Sequence, residues 1–86
     1  MRVVLPTPLA EYTRHRREVE AEGATVAELL ADLDRKYPGL RFRVIVELDA
    51  IRPHIRIFVN RVLARAIAAP LAASDEVLVV AALSGG

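Results

Sequence analysis

The chain contains no cysteine. Disulfides, thiolate metal sites and cysteine nucleophiles are thereby excluded. Lysine is almost missing too: Lys36 stands alone against eleven arginines among the twelve basic residues. A single ε-amine leaves little room for self-conjugation through lysine. Aromatic residues make up only 5% and the net charge is +1. The run Arg14-His15-Arg16-Arg17 therefore has no aromatic platform beside it, and no nucleic-acid partner is expected. No apolar run approaches the ~18 residues of a membrane span, and Met1 to Pro6 is too short for a signal peptide. The expectation is a cytoplasmic protein with no membrane partner. His15 and His54 lie far apart and lack a metal-ligand spacing, so no metal site is expected.

What is present suffices for one domain with one core: 86 residues, 53% of them hydrophobic. Arg2 to Pro6 reads as a first strand, with Val3 and Leu5 on one face and Val4 on the other. Pro6-Thr7-Pro8 ends it, because proline cannot donate to a ladder. Leu9 to Tyr12 is expected to fold back over an edge of the core, and Thr13 to Arg16 to make a polar turn. Arg17 to Glu22 alternates with period two, Val19 and Ala21 inward and glutamates outward, which suits an edge strand. Thr25 and Glu28 form a capping box at the start of the clearest helix. Val26, Leu29, Leu30, Leu33 and Tyr37 give that helix one apolar stripe. Arg35 and Lys36 suit its negative end, and Pro38-Gly39 stops it.

Beyond the helix, Phe42, Val44 and Val46 alternate against Arg41, Arg43 and Ile45, a pattern that leaves helix and strand open. Glu47 to Ala50 reads as a turn. His54 to Asn60 reads as a strand, with Ile55, Ile57 and Val59 on one face and His54, Arg56 and Phe58 on the other. Val62 to Ala64 is a short strand, and Arg65 to Ser74 a loop or short 3₁₀ segment around Pro70. The β-branched run Val77 to Val80 is the last strand. The order β-β-α-β-(β)-β is an α+β layout. It predicts a mixed sheet of four to five strands, the first and last parallel and central, with one main helix packed on one face.

If the odd-numbered positions of the strands face the helix, Val4, Phe58, Leu78 and Val80 point away from it. They are then an apolar patch of the kind that marks a partner site, unless Leu9, Tyr12 or the 40–50 segment covers them. Arg41, Arg43, Arg52 and Arg56 are a basic patch for an acidic partner, or a solvated face. Asp32, Asp34, Asp75 and Glu76 sit on the helix and at a strand start, where capping or solvation is favoured over catalysis. The chain closes on Leu83-Ser84-Gly85-Gly86. Glycine lacks a Cβ, so such a tail can pass a narrow channel and let another protein approach its backbone. The distinctive group there is the α-carboxylate of Gly86. Residues 83–86, extended, reach roughly 13 Å at ~3.3 Å each. A frayed terminus is the plain alternative.

Four segments carry a resemblance. Val3-Val4-Leu5-Pro6 opens the chain and Thr25-Val26-Ala27-Glu28-Leu29-Leu30 starts the helix. Ile57-Phe58-Val59-Asn60 resembles a "VFVN" strand and turn. Pro70-Leu71, Asp75-Glu76-Val77 and Leu83-Ser84-Gly85-Gly86 resemble a "PL…GDEV…GG" ending. With the strand order, they resemble the β-grasp fold of ubiquitin and, more closely, the MoaD/ThiS family of prokaryotic sulfur carriers. Tyr37-Pro38-Gly39-Leu40 and the segment from Arg52 to Asn60 are most similar to the CysO-type carriers of cysteine biosynthesis. Ser74 stands where a glycine is common, and Ala81-Ala82 replaces a frequent proline pair.

The resemblance implies a carrier that binds no cofactor and is not itself an enzyme. An E1-like adenylating enzyme of the MoeB/ThiF type would use ATP to adenylate the Gly86 carboxylate, and a sulfur donor would convert it to a thiocarboxylate. A sulfur-acceptor enzyme, cysteine synthase-like or the large subunit of molybdopterin synthase, would take the sulfur on. With no cysteine in the chain, that sulfur must ride on something other than a side chain. Phe58, Val80, Leu78 and Val4 would dock the partner, and Leu83, Ser84 and Gly85 would present the tail. The alternatives are a MoaD-type small subunit of molybdopterin synthase, a ubiquitin-like modifier joined to target lysines through Gly86, or a β-grasp interaction module whose glycines are incidental.

Overall fold

Period-two stretches at both ends of the chain and a 3.6-period stretch between them divide the molecule into a sheet and its helical cover. The structure, a computed structural model, describes residues 1–45 and 50–81. Strand β1 (Arg2–Val4) is followed by a short helix α1 (Thr7–Ala10), a 3₁₀ turn (Glu11–Thr13) and strand β2 (Glu18–Glu20). The main helix α2 (Val26–Lys36) leads to a second short helix α3 (Leu40–Val44). Strands β3 (Ile55–Val59), β4 (Val62–Ala64) and β5 (Glu76–Ala81) complete the order. The five strands form one mixed sheet, β2-β1-β5-β3-β4. β5 lies at its centre, parallel to β1 and antiparallel to β3. The first and last strands are thus parallel neighbours inside the sheet, as the strand order predicts.

Every second strand residue turns inward. Val3, Val19, Ile55, Ile57, Ala64, Val77 and Val79 are buried, together with Val26, Leu29, Leu30 and Leu33 of α2. Tyr37, the last of the apolar stripe, is half-buried and caps the helix, its N–H donating to Leu33 O at 2.7 Å. The N–H groups of Val26, Ala27 and Glu28, which have no intrahelical partner, are satisfied, and Leu29 N makes the first bond within the helix. Glu28 N donates to Thr25 Oγ1 at 3.2 Å and Leu29 N to Thr25 O at 3.0 Å. Val26 N and Ala27 N donate to the carbonyls of Ala69 and Ile67. The capping glutamate reaches Ala24 N at 3.2 Å. The loop from Arg65 to Ser74 is therefore the lid of the helix N-terminus, pinned further by Leu71 N to Ala24 O. Gly23 crosses this junction so closely that a Cβ would clash with the backbone of Leu29.

Three readings are sharpened. The pattern over 40–46, open between helix and strand, is helical over Leu40–Val44, with Leu40 and Val44 buried at i and i+4 and Phe42 64% exposed, and Val46 lies outside the described residues. Period two and a single helical turn both bury two residues of five, so the pattern could not separate them. Gly39, at φ 98°, turns the chain into this helix, and its N–H donates to Asp34 Oδ1 at 3.0 Å. Secondly, Leu9 to Tyr12 is part of a helix and 3₁₀ turn rather than a plain fold-back, although Leu9 and Ala10 are buried as expected. Thirdly, the turn after it is not wholly polar. Thr13 is buried and its hydroxyl lies between the carbonyls of Ala10 and Arg16. Arg14 and His15 take left-handed backbone angles there. The turn expected over Glu47 to Ala50 lies, except for Ala50, outside the described residues.

Candidate functional site

The outer face of the sheet carries the even-numbered strand residues. Pairing sets Phe58 of β3 opposite Leu78 of β5 and Leu63 of β4, and sets Val4 of β1 opposite Leu78. Val4, Leu78, Phe58 and Leu63 thus form one apolar row across four strands. Leu63 and Leu78 are each 37% exposed, and Val4 and Phe58 are half-buried. Val80, one step along β5, sits opposite Arg56. All four residues expected in the patch share this face. Leu9 and Tyr12 pack against the core cluster, as do Leu40, Val44 and Ile45, so none of these lies over the row, while 46–49 of the 40–50 segment lie outside the described residues.

Sequence reasoning missed Leu63. The signal lay in the turn: a two-residue connection pairs Val59 with Val62 and so Phe58 with Leu63. Asn60 and Arg61 both have positive φ, 49° and 71°, as a type I′ hairpin requires. Asparagine tolerates that conformation, and its side chain does more. Asn60 Nδ2 donates to Asp75 Oδ1 at 2.7 Å, and Asn60 Oδ1 accepts from Glu76 N at 3.0 Å. Asp75 also accepts from Ala72 N at 2.7 Å. Those bonds from Ala72 and Asn60 hold the Asp75 carboxyl below its ordinary pKa. The "VFVN" and "DEV" segments therefore meet in space, where they fix the start of the central strand.

Charge borders the row on one side. Arg2, opposite both Glu20 and Glu76 in the ladder, pairs with Glu18 and lies 3.3 Å from Glu76. Arg61 and Glu76 flank a shallow recess whose floor is Phe58 and Leu78. The carboxylates weighed as catalytic are structural. Asp32 pairs with Arg35 at 2.6 Å and Lys36 at 3.2 Å and accepts from Glu22 N, and these partners hold its pKa far down. Asp34 caps α3 through Gly39 N and Arg41 N. Among the described residues, no cluster of three or more His, Asp or Glu could hold a metal ion, and no helix is long and apolar enough to cross a membrane.

β5 ends at Ala81, paired with Ile55. Gly86, with Leu83, Ser84 and Gly85 before it, lies outside the described residues, so the structure reaches only the root of the tail. That root stands at the end of the central strand, with the apolar row beside it on the outer face.

Comparison with known proteins agrees with this architecture. The ThiS family model matches residues 3–86. The sulfur carrier protein CysO of Mycobacterium tuberculosis is 29% identical over 89 residues, spanning 98% of this chain and 96% of that protein. In a solved BexX/CysO complex from Amycolatopsis orientalis, the matching chain is 30% identical, with a TM-score of 0.91, 99% of this chain covered and 98% of that one. The small archaeal modifier SAMP1 of Haloferax volcanii is 32% identical with a TM-score of 0.78, covering 100% of this chain and 98% of its own. The ubiquitin-like β-grasp fold, the outward apolar row and a family match that runs through the tail agree: the chain belongs to the ThiS family.

Proposed function

We propose that this protein is a sulfur carrier whose Gly86 carboxylate is adenylated and converted to a thiocarboxylate. The observation that supports it most directly is the family match over residues 3–86, which takes in the Gly-Gly tail. Relatives named as sulfur carriers are covered over nearly their whole length. A carboxylate is a poor electrophile until it gains a good leaving group. Attack of the Gly86 carboxylate on the α-phosphate of ATP forms an acyl adenylate and releases pyrophosphate. A sulfur nucleophile then replaces AMP at the same carbon. The catalytic groups for both steps are assigned to the partner, because Asp32, Asp34, Asp75 and Glu76 are engaged in caps, turns and ion pairs. The carrier contributes the reacting carboxylate, a tail without bulk, and a docking surface.

Val4, Leu78, Phe58 and Val80 are the proposed contact with an E1-like enzyme, extended by Leu63. Aromatic and apolar anchors in such a surface carry most of the binding energy. A cysteine-synthesis acceptor is favoured by the CysO relatives. The likeness to SAMP1 supports a second reading, a modifier joined to lysines through Gly86. ATP–pyrophosphate exchange with the adenylating enzyme of the same organism separates a carboxylate substrate from an inert module. Deleting Gly85 and Gly86, or adding one residue after Gly86, is expected to abolish exchange and leave the melting curve unchanged. Blocking Lys36 is expected to do neither. Exchange that survives the deletion refutes the assignment to Gly86.

A further inference from the structure

The acidic and basic groups of this molecule are unevenly matched. On the β2 and α2 side, Arg2 pairs with Glu18 and Glu76, Arg35 and Lys36 with Asp32, and the Met1 amine with Glu20 and Glu22, while Arg17 Nε donates to Leu5 O. Near the last described residues of β5, three arginines are held by neutral acceptors. Arg43 Nε donates to the Tyr12 hydroxyl, and its guanidinium lies 5.7 Å from the centre of the Tyr12 ring. Arg52 Nε donates to Phe42 O at 2.8 Å, and Arg56 Nη1 donates to the carbonyls of Pro53 and Ile55. All three guanidiniums are held by neutral acceptors, and among the described residues none has a carboxylate within ion-pair distance, although Glu11 lines the same recess as Arg43. Arg43 and Arg56 are exposed and Arg52 half-exposed.

Their placement is not scattered. Arg43 and His54 share a recess of about 320 Å³ with Pro8, Leu9, Glu11, Ile55 and Ala81, the last described residue of β5. Arg52 and Arg56 line the neighbouring recess on the other side of Ile55. Ile55 is the ladder partner of Ala81, and Arg56 that of Val80. Arg43 thus shares a recess with Ala81, Arg56 is the ladder partner of Val80, and Arg52 lines the recess beside Arg56. Each is fixed by a hydrogen bond to a neutral group, which orients it without discharging it. Exposed charges held in this way add positive potential to this surface, which a surface of opposite sign would complement.

We propose that Arg43, Arg52 and Arg56 form a basic collar that docks on an acidic protein surface around the channel that admits the tail. This rests on the carrier reading and deepens it: the apolar row supplies the contact area, and the collar supplies encounter rate and aims the tail. Charge complementarity of this kind acts mainly on association and weakens with salt.

The test compares steady-state ATP–pyrophosphate exchange for the wild-type chain, Arg43→Gln/Arg56→Gln, Arg43→Lys/Arg56→Lys and Arg14→Gln/Arg16→Gln. The last pair removes the same charge around a separate recess lined by Tyr12, Thr13, Lys36, Tyr37 and Pro38. The collar double variant is expected to lower kcat/KM for the carrier about tenfold or more at low ionic strength. The difference is expected to close at high salt, with kcat and the KM for ATP unchanged. The lysine pair should keep most of the rate, and Arg14→Gln/Arg16→Gln should match the wild type. Equal losses in the collar and control variants would mean that net charge alone matters. A raised KM for ATP would place the arginines on the nucleotide, and no loss at all would leave them without a role. Each of these overturns the collar while the carrier reading stands. A wild-type chain that supports no exchange removes the carrier reading and the collar with it.

Discussion

Asn60 and Asp75 show how single side chains set the position of the central strand. Neither is buried, yet together they tie the β3–β4 turn to the first residue of β5 through Asn60 Nδ2, Asn60 Oδ1 and the Ala72 N–H. The Asp75 pKa is depressed, first by the Ala72 N–H and then by Asn60. A depressed carboxyl binds its proton less readily in the folded state than in the unfolded state. Its contribution to stability is therefore present above the unfolded value of about 4 and is lost as pH falls through the folded value. Thermal melts of Asp75→Asn and wild type are expected to differ most near neutral pH, with the gap narrowing below about pH 4. A gap independent of pH would mean that the carboxylate charge plays no part. The motif pairing was visible in the sequence only as two separate resemblances. Their contact depends on the sheet order, which brings the end of β3 beside the start of β5.

At the scale of elements, strands and the main helix were legible because their periods differ and their faces are long enough to average over. Val26, Leu29, Leu30 and Leu33 are all buried, as the stripe predicts. Leu30→Ala should cost about 2–5 kcal/mol in chemical denaturation, the range for a truncated core leucine. A loss under ~0.5 kcal/mol would show that this face of α2 is not the core. The short elements were not legible. α1 and α3 span four and five residues, and over so few positions a helical turn and an alternating strand bury the same number of residues. The lid formed by Arg65 to Ser74 was hidden for another reason: it holds α2 through main-chain carbonyls, which leave no mark on residue choice. The two faces of β3 read correctly, so Phe58→Asp should keep a cooperative melt while weakening binding to the adenylating enzyme strongly, as measured by titration calorimetry. Loss of the fold would mean that Phe58 belongs to the core.

At the scale of the whole molecule, a parallel β1–β5 pair at the middle of the sheet carries the chain to Ala81, with the apolar row on the outer face and Arg43 and Arg56 near the last described residues of β5. The group proposed to react, the Gly86 carboxylate, is visible in the sequence and lies outside the described residues. The row was readable in outline from strand alternation, and Leu63 joined it only once the hairpin register was known. The arginines were readable as a list of residues, but their grouping depends on Arg43 of α3 lining one recess with Ile55 of β3.

The most direct measurement is the mass of the C-terminal peptide after the chain is incubated with ATP, sulfide and the adenylating enzyme of the same organism. The expected result is the exchange of one oxygen for one sulfur, confined to the fragment that ends in Gly86, requiring ATP and absent when Gly85 and Gly86 are deleted. An unmodified Gly86 under conditions that thiocarboxylate a known carrier with the same enzyme, or sulfur found elsewhere in the chain, would contradict the assignment.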